Sequence, residues 1–210
     1  MAYQLPADCL NEVFEYLEKE SIYACLLVNR LWCEVAVKIL WRNALGVRDD
    51  RYQLVNTLVA CLSDESKDFL YTNRIFISTL PSGPPLFDYI SLIKVLPIDE
   101  IHQTIENFLK NKQANDSHLV LQELLKTFMN RISSLKTLKL SKEFQNISFL
   151  NLPEAKDCLA GLSSFSCHSD ICPTFFNQLS QICHHIQTLT IVFENGISNE
   201  LKELVTLQRI

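Results

Sequence analysis

The side chains with the widest chemical reach gather late in the chain, as Cys167-His168, Cys172 and Cys183-His184-His185. Thiolates and imidazoles together can hold zinc, and a thiolate beside a base can act as a nucleophile. Neither chemistry fits the pattern. Four residues separate the first two cysteines and ten separate the second from the third, which is not a zinc-finger spacing. No metal is therefore expected. A cysteine nucleophile served by His184 or His185 has no local motif around it, so a Cys-His enzyme is the weakest reading, with no catalytic residue and no cofactor assigned. Cys9, Cys25, Cys33, Cys61 and Cys158 sit among apolar residues, where a reduced cysteine behaves as a small hydrophobe. The acids lie mostly on polar helix faces, and none forms a pair whose geometry the sequence defines.

Composition narrows the classes further. Apolar residues make up 48% of the 210, enough for a continuous core and too many for a disordered chain. Only four glycines are present, which argues against phosphate-cradling loops and against an all-β design with many tight turns. The net charge of −5 comes from 24 acids and 19 bases spread along the chain, without the basic run or helix face of a nucleic-acid binder. No apolar stretch approaches the ~20 residues that span a bilayer. Asp8 interrupts the N-terminus before any signal-peptide core can form. These features predict an intracellular protein, cytoplasmic or nuclear, with no nucleic-acid or membrane partner.

Residues 5–45 read as a compact helical block. Leu5-Pro6 is an extended lead-in, since a residue before proline is pushed out of the helical region. Asp8 is the expected N-cap, and Leu10, Val13, Phe14 and Leu17 form the apolar stripe of a helix. The charged run Glu18-Lys19-Glu20 ends that helix, Ser21 caps the next, and Asn29-Arg30 joins a second helix to a third. Arg48-Asp49-Asp50-Arg51 marks a domain boundary, giving domains 1–46 and 47–210.

Beyond it, 52–62 reads as a helix and Arg74-Ile75-Phe76-Ile77-Ser78 as a strand. The segment 81–85, with three prolines and a glycine, is a turn or loop. Leu86, Tyr89, Ile90 and Ile93 are helix-spaced, as are Ile101, Ile105, Phe108 and Leu109. Residues 111–117 are polar and expected to be exposed. Leu121, Leu124, Leu125, Phe128 and Ile132 trace one helical face.

The last third is repetitive. Leu135-Lys136-Thr137-Leu138-Lys139-Leu140 has the L-x-x-L-x-L core of a leucine-rich repeat, in which a short strand lines a stacked coil. Looser copies are Leu159, Leu162, Phe165 and Cys167, then Ile186, Leu189 and Ile191. Setting Leu138, Phe165 and Leu189 in register gives spacings of 27 and 24 residues, within the 20–29 of such repeats. Leu201, Leu204 and Leu207 would open another unit, and with no polar cap at Ile210 the array reads as short or truncated. The competing reading is a set of amphipathic helices with a few strands. The fold expected is mixed α/β: a three-helix block followed by an irregular helix–strand solenoid. Residues between the repeat leucines, Lys136, Thr137, Lys139, Gln187, Thr188 and Thr190, would form a concave substrate-binding face.

The helical block resembles an F-box. The resemblance rests on Leu5-Pro6-x-Asp8-x-Leu10-x-x-Val13-Phe14-x-Tyr16-Leu17, Ala24-Cys25-x-x-Val28-Asn29-Arg30-x-Trp32 and Leu40-Trp41. One departure is Ser21-Ile22, where many F-boxes start their second helix with an acid-leucine pair. An F-box joined to degenerate repeats is similar to a large group of fungal F-box proteins. The resemblance implies the substrate-recognition subunit of a Skp–cullin–F-box ubiquitin ligase, acting in ubiquitin-dependent degradation without bond chemistry of its own. It implies a Skp-type adaptor as partner, a cullin ligase through it, and an unidentified protein substrate. An adaptor-binding scaffold without a ligase role is the alternative. The block carries more apolar side chains than three short helices can cover, so the surplus must face a partner or the repeats. Leu5, Pro6, Leu10, Val13, Phe14 and Leu17 are expected on the adaptor surface, with Leu26, Val28, Trp32, Leu40 and Trp41 divided between adaptor and core.

Overall fold

A computed structural model of the chain describes residues 5–46, 51–77, 85–109, 114–140, 149–169, 171–193 and the backbone of 205–208. The chain divides into two compact units, Met1–Ala44 and Leu45–Ile210. The protein is mixed α/β.

The first unit holds three helices, α1 (Ala7–Phe14), α2 (Lys19–Cys25) and α3 (Arg30–Arg42). Pro6, not Asp8, stands at the N-cap of α1, and Asp8 lies in the first turn, where a carboxylate favours the helix dipole. Helix α1 stops at Phe14, short of Leu17. The next helix starts at Lys19 from Glu18, without a side-chain cap, so Ser21 lies inside it. Asn29 is the joint expected from the sequence, and its role is specific: its Oδ1 accepts the Trp32 N–H at 2.9 Å and caps α3.

The second unit begins with α4 (Arg51–Ala60) and α5 (Asp64–Thr72). Helix α5 has no counterpart among the elements expected from the sequence, although Ser63 accepts the Ser66 N–H and Asp64 and Glu65 occupy its first turn. The strand expected over 74–78 is absent from described residues 74–77. Arg74 instead takes a left-handed φ of 60°. Its N–H donates to the Tyr71 carbonyl and the Ile75 N–H reaches back to the Leu70 carbonyl, both at 2.9 Å. This is a Schellman ending, completed by burial of Ile75 and Leu70. The turn expected over 81–85 lies outside the described residues except at Pro85. The helix expected from Leu86 to Ile93 is only a 3-10 turn, Ile90–Leu92.

A short strand that the sequence reading missed, β1 (Val95–Pro97), leads into α6 (Ile98–Leu109), which packs along α7 (Ala114–Arg131). Leu121, Leu124, Leu125, Phe128 and Ile132 are all buried. Ser117, expected in an exposed stretch, is buried at the start of α7 because it faces His102 on α6.

Next come β2 (Thr137–Lys139), α8 (Ala155–Leu159), β3 (Ser164–His168), α9 (Pro173–Ile182), β4 (Thr188–Val192) and β5 (Val205–Gln208). The sheet order is β1-β2-β3-β4-β5, with the first three pairings parallel. Leu96, Leu138, Phe165 and Leu189 stand side by side across four strands, the last three at the 27- and 24-residue spacings of the sequence. Leu96, Leu138 and Phe165 are wholly buried and Leu189 is half-buried. Leu207 does not open another parallel unit: β5 runs antiparallel, with Leu207 opposite Leu189. Leu201 and Leu204 lie outside the described residues.

Candidate functional site

Helix α1 splits its stripe between two faces. Leu10 and Phe14, one turn apart, point into the block and pack with Ile22, Cys25, Val35 and Ala36. The Trp32 ring meets Phe14 edge-on, with centroids 5.2 Å apart. Leu17, Leu26, Trp32 and Leu40 are partly buried against this core, and Trp41 is half-buried. The expectation that Leu10 and Phe14 lie on an adaptor surface is therefore corrected. Three short helices have few large side chains to enclose, and these two form the centre. Arg42 near the end of α3 pairs with Glu15 just past α1, tying the two helices together.

Leu5, Pro6, Val13 and Val28 are exposed. So are three residues absent from the expected surface: Tyr16, Tyr23 and Leu27. Tyr16 and Leu27 sit in the turns after α1 and α2 and are 88% and 89% exposed. A large apolar side chain in a turn, off the stripe that builds the helix, was the signal available for both. Six of the twelve large hydrophobic residues exposed among the described residues belong to this block, about a fifth of the chain. Such density marks an interaction site more strongly than scattered single exposures do.

The sheet presents a second surface. Thr137, Ser164 and Thr188 form one row across β2, β3 and β4, and Lys139, Ser166 and Thr190 form the next. Four of the six expected face residues thus come together, with Ser164 and Ser166 completing the rows from the middle strand. Lys136 does not join them. It precedes β2, and its Nζ reaches the Gly161 carbonyl at 3.4 Å. Gln187 likewise precedes β4, its N–H donating to the Ser163 carbonyl. None of the strands among the described residues carries an Asp or Glu.

The late Cys/His residues are scattered over three elements. Cys167 is buried on β3, and Cys183 closes α9 with its Sγ donating to the Leu159 carbonyl at 3.3 Å. His184 and His185 are exposed. Burial lifts the thiols of Cys158 to about 12 and of Cys167 and Cys183 to about 11. Cys172 is the opposite case: a hydrogen bond with Thr174 Oγ1 at 2.9 Å and N–H groups opening α9 lower its pKa. Among the described residues no group of three His, Cys, Asp or Glu side chains could hold a metal ion.

One hydroxyl–imidazole–carboxylate series escaped the sequence reading. His102 Nε2 lies 3.1 Å from Ser117 Oγ, and its Nδ1 lies 3.7 Å from Glu106 Oε1. Both His102 and Ser117 are buried between α6 and α7, so the hydroxyl has no approach for a substrate carbonyl. The series acts as a helix-packing contact.

No curated protein and no solved structure matches the chain. Residues 2–45 match the F-box-like family, whose domains typically bind Skp-type adaptors. The three-helix block that buries Leu10 and Phe14 and exposes Val13, Tyr16 and Leu27 is an F-box-like domain.

Proposed function

We propose that this protein is a substrate-recognition subunit of a Skp–cullin–F-box ubiquitin ligase. The F-box-like domain docks a Skp-type adaptor, and the second unit holds a protein target. The single observation that carries the reading is the concentration of exposed apolar side chains on a block whose family typically binds such adaptors. The docking surface is Leu5, Pro6, Val13, Tyr16, Tyr23, Leu27 and Val28, with Leu17, Leu26, Trp32, Leu40 and Trp41 supporting it from partly buried positions. The parallel strands and the common register of Leu138, Phe165 and Leu189 support reading the second unit as a degenerate leucine-rich array. Its open strand face, with Thr137, Lys139, Thr188 and Thr190, is the proposed target surface. Function then follows from tethering: holding a target beside the conjugating machinery raises its effective concentration without bond chemistry in this chain. The site of action is the cytoplasm or nucleus, where cullin ligases work. No described helix is long and apolar enough to cross a membrane.

The test is capture of the purified chain by a Skp-type adaptor, beside a Leu5→Ala, Pro6→Ala variant. Retention of the wild type and loss of the variant is the expected result. A folded wild type that fails to bind removes the ligase reading.

A further inference from the structure

A groove of about 1270 Å³ runs within the second unit, between the α4–α5 junction, one side of α7 and the segment Pro85–Asp88. It is larger than the ~300–1,000 Å³ clefts that take drug-sized ligands. Glu123 lines it and is only 3% exposed. Its Oε2 accepts from Ser66 Oγ at 2.8 Å and its Oε1 from Lys126 Nζ at 2.5 Å.

Burying a carboxylate is costly unless a cation comes with it. Here the cation comes from a side chain that is 46% exposed. The Lys126 ammonium also lies 5.6 Å from the centroid of the Phe69 ring, within cation–π range. A buried carboxylate and an aromatic face thus converge on one cation at the groove wall, and the chain fills that position with its own lysine. The other bases lining the groove are engaged elsewhere. Arg131 pairs with Asp88 at 2.7 Å and donates to the Cys61 carbonyl at 2.9 Å, while Lys67 donates to the Ala60 carbonyl. An anionic occupant would have to break one of these contacts and would still face the carboxylates of Asp64, Glu65 and Glu123, whereas a cationic one exchanges with Lys126 alone. A cationic one meets Glu123 and, on the first turn of α5, the exposed carboxylates of Asp64 and Glu65. Leu86, 84% exposed, supplies apolar surface along the opposite wall.

We propose that this groove binds a peptide segment carrying an arginine next to an apolar residue. The guanidinium takes the place of Lys126 between Glu123 and Phe69, and the apolar neighbour packs on Leu86. Arginine is favoured over lysine because its planar fork can reach both carboxylate oxygens and stack on the ring, whereas an ammonium holds one oxygen. The site belongs wholly to the second unit and does not rest on the adaptor contact.

The probe is a fluorescein-labelled octapeptide of alternating leucine and arginine, compared by anisotropy with the same peptide in which citrulline, a neutral isostere, replaces arginine. On the intact chain the arginine peptide is expected to bind at least tenfold more tightly. Lys126→Met, which vacates the position, is expected to tighten it several-fold, a gain that misfolding does not produce. The pair Asp64→Asn, Glu65→Gln is expected to weaken it several-fold, while the distant pair Glu154→Gln, Asp157→Asn leaves it within twofold. The proposal is overturned if both peptides bind equally, if neither binds, if Lys126→Met weakens binding, or if the two acid pairs act alike. Adaptor capture measured on the same proteins reads the first unit alone, so its outcome is separate.

Discussion

Leu27→Ala and Leu10→Ala remove the same atoms from one small domain and should have opposite consequences. Leu27 is 89% exposed in the turn after α2, and Leu10 is 1% exposed in the centre of the block. Truncating Leu27 deletes little native contact, so stability should change by no more than about 0.5 kcal/mol. If an adaptor covers that side chain, truncation costs about 2 kcal/mol of binding, a roughly thirtyfold weaker Kd. Val13→Ala starts from a half-exposed side chain and should cost about 1 kcal/mol, or roughly fivefold. Leu10→Ala instead opens a cavity worth about 2–5 kcal/mol, and a block of ~40 residues has little more stability than that to lose. Titration calorimetry against a Skp-type adaptor, beside a thermal melt of each variant, separates the cases. Leu27→Ala should melt like wild type and bind weakly, while Leu10→Ala should melt early. A folded Leu27→Ala protein whose Kd stays within twofold of wild type refutes the docking surface drawn here.

Thiol chemistry should follow burial. Cys9 is exposed and Cys172 has a lowered pKa, so both should react with a disulfide reagent quickly under native conditions, and bound adaptor should protect Cys9 alone. Cys158, Cys167 and Cys183 are held protonated by burial, their pKa values raised from the ordinary 9.0 to about 12, 11 and 11, and should react only on unfolding. Their folded pKa values are raised, so the stability they protect is fully present below about pH 9. It is lost between there and about pH 12, as the unfolded chain ionises first, and a series of denaturant melts across that range would show the decline. Asn29→Ala removes the cap of α3 and should lower stability by about 1 kcal/mol in a melt of the chain. Arg74→Gly relieves a left-handed residue at the end of α5 and should raise the melting temperature slightly, whereas Arg74→Val should lower it.

The helical block was legible because spacing and punctuation agreed there: Leu5-Pro6 precedes the first helix, Asn29 the third, and the apolar stripes lie between. What spacing could not do was tell the inner face from the outer. Leu10, Val13 and Phe14 belong to one stripe in sequence, yet α3 covers only the side holding Leu10 and Phe14, leaving Val13 uncovered. That division depends on where α3 crosses α1, which is a tertiary fact. Tyr16 and Leu27 escaped for a related reason. They lie outside the helices, and a search for helical periodicity passes over turns.

The second unit shows when a β-rich composition misleads. Ile75-Phe76-Ile77 has the residue types of a strand, but Arg74 and Ile75 close α5 by a backbone device that the sequence marks only weakly, since glycine usually holds the left-handed position. Val95-Leu96-Pro97 looks too short and too interrupted for a strand, and it forms one because proline at an edge has no ladder partner to lose on its open side. Where strand pairing mattered more than local composition, spacing located three of the parallel strands. Leu138, Phe165 and Leu189 have different sequence neighbours, and the middle one is aromatic, yet 27- and 24-residue spacings place them opposite one another. A parallel strand can pair only after a crossover long enough to return the chain to the same end of the sheet, and the crossover length sets the spacing. The column Leu96-Leu138-Phe165-Leu189 therefore accommodates one phenylalanine among leucines. The polar rows beside it, Thr137-Ser164-Thr188 and Lys139-Ser166-Thr190, carry no such packing requirement, because their side chains are half-buried or exposed and the strand pairing runs through the backbone.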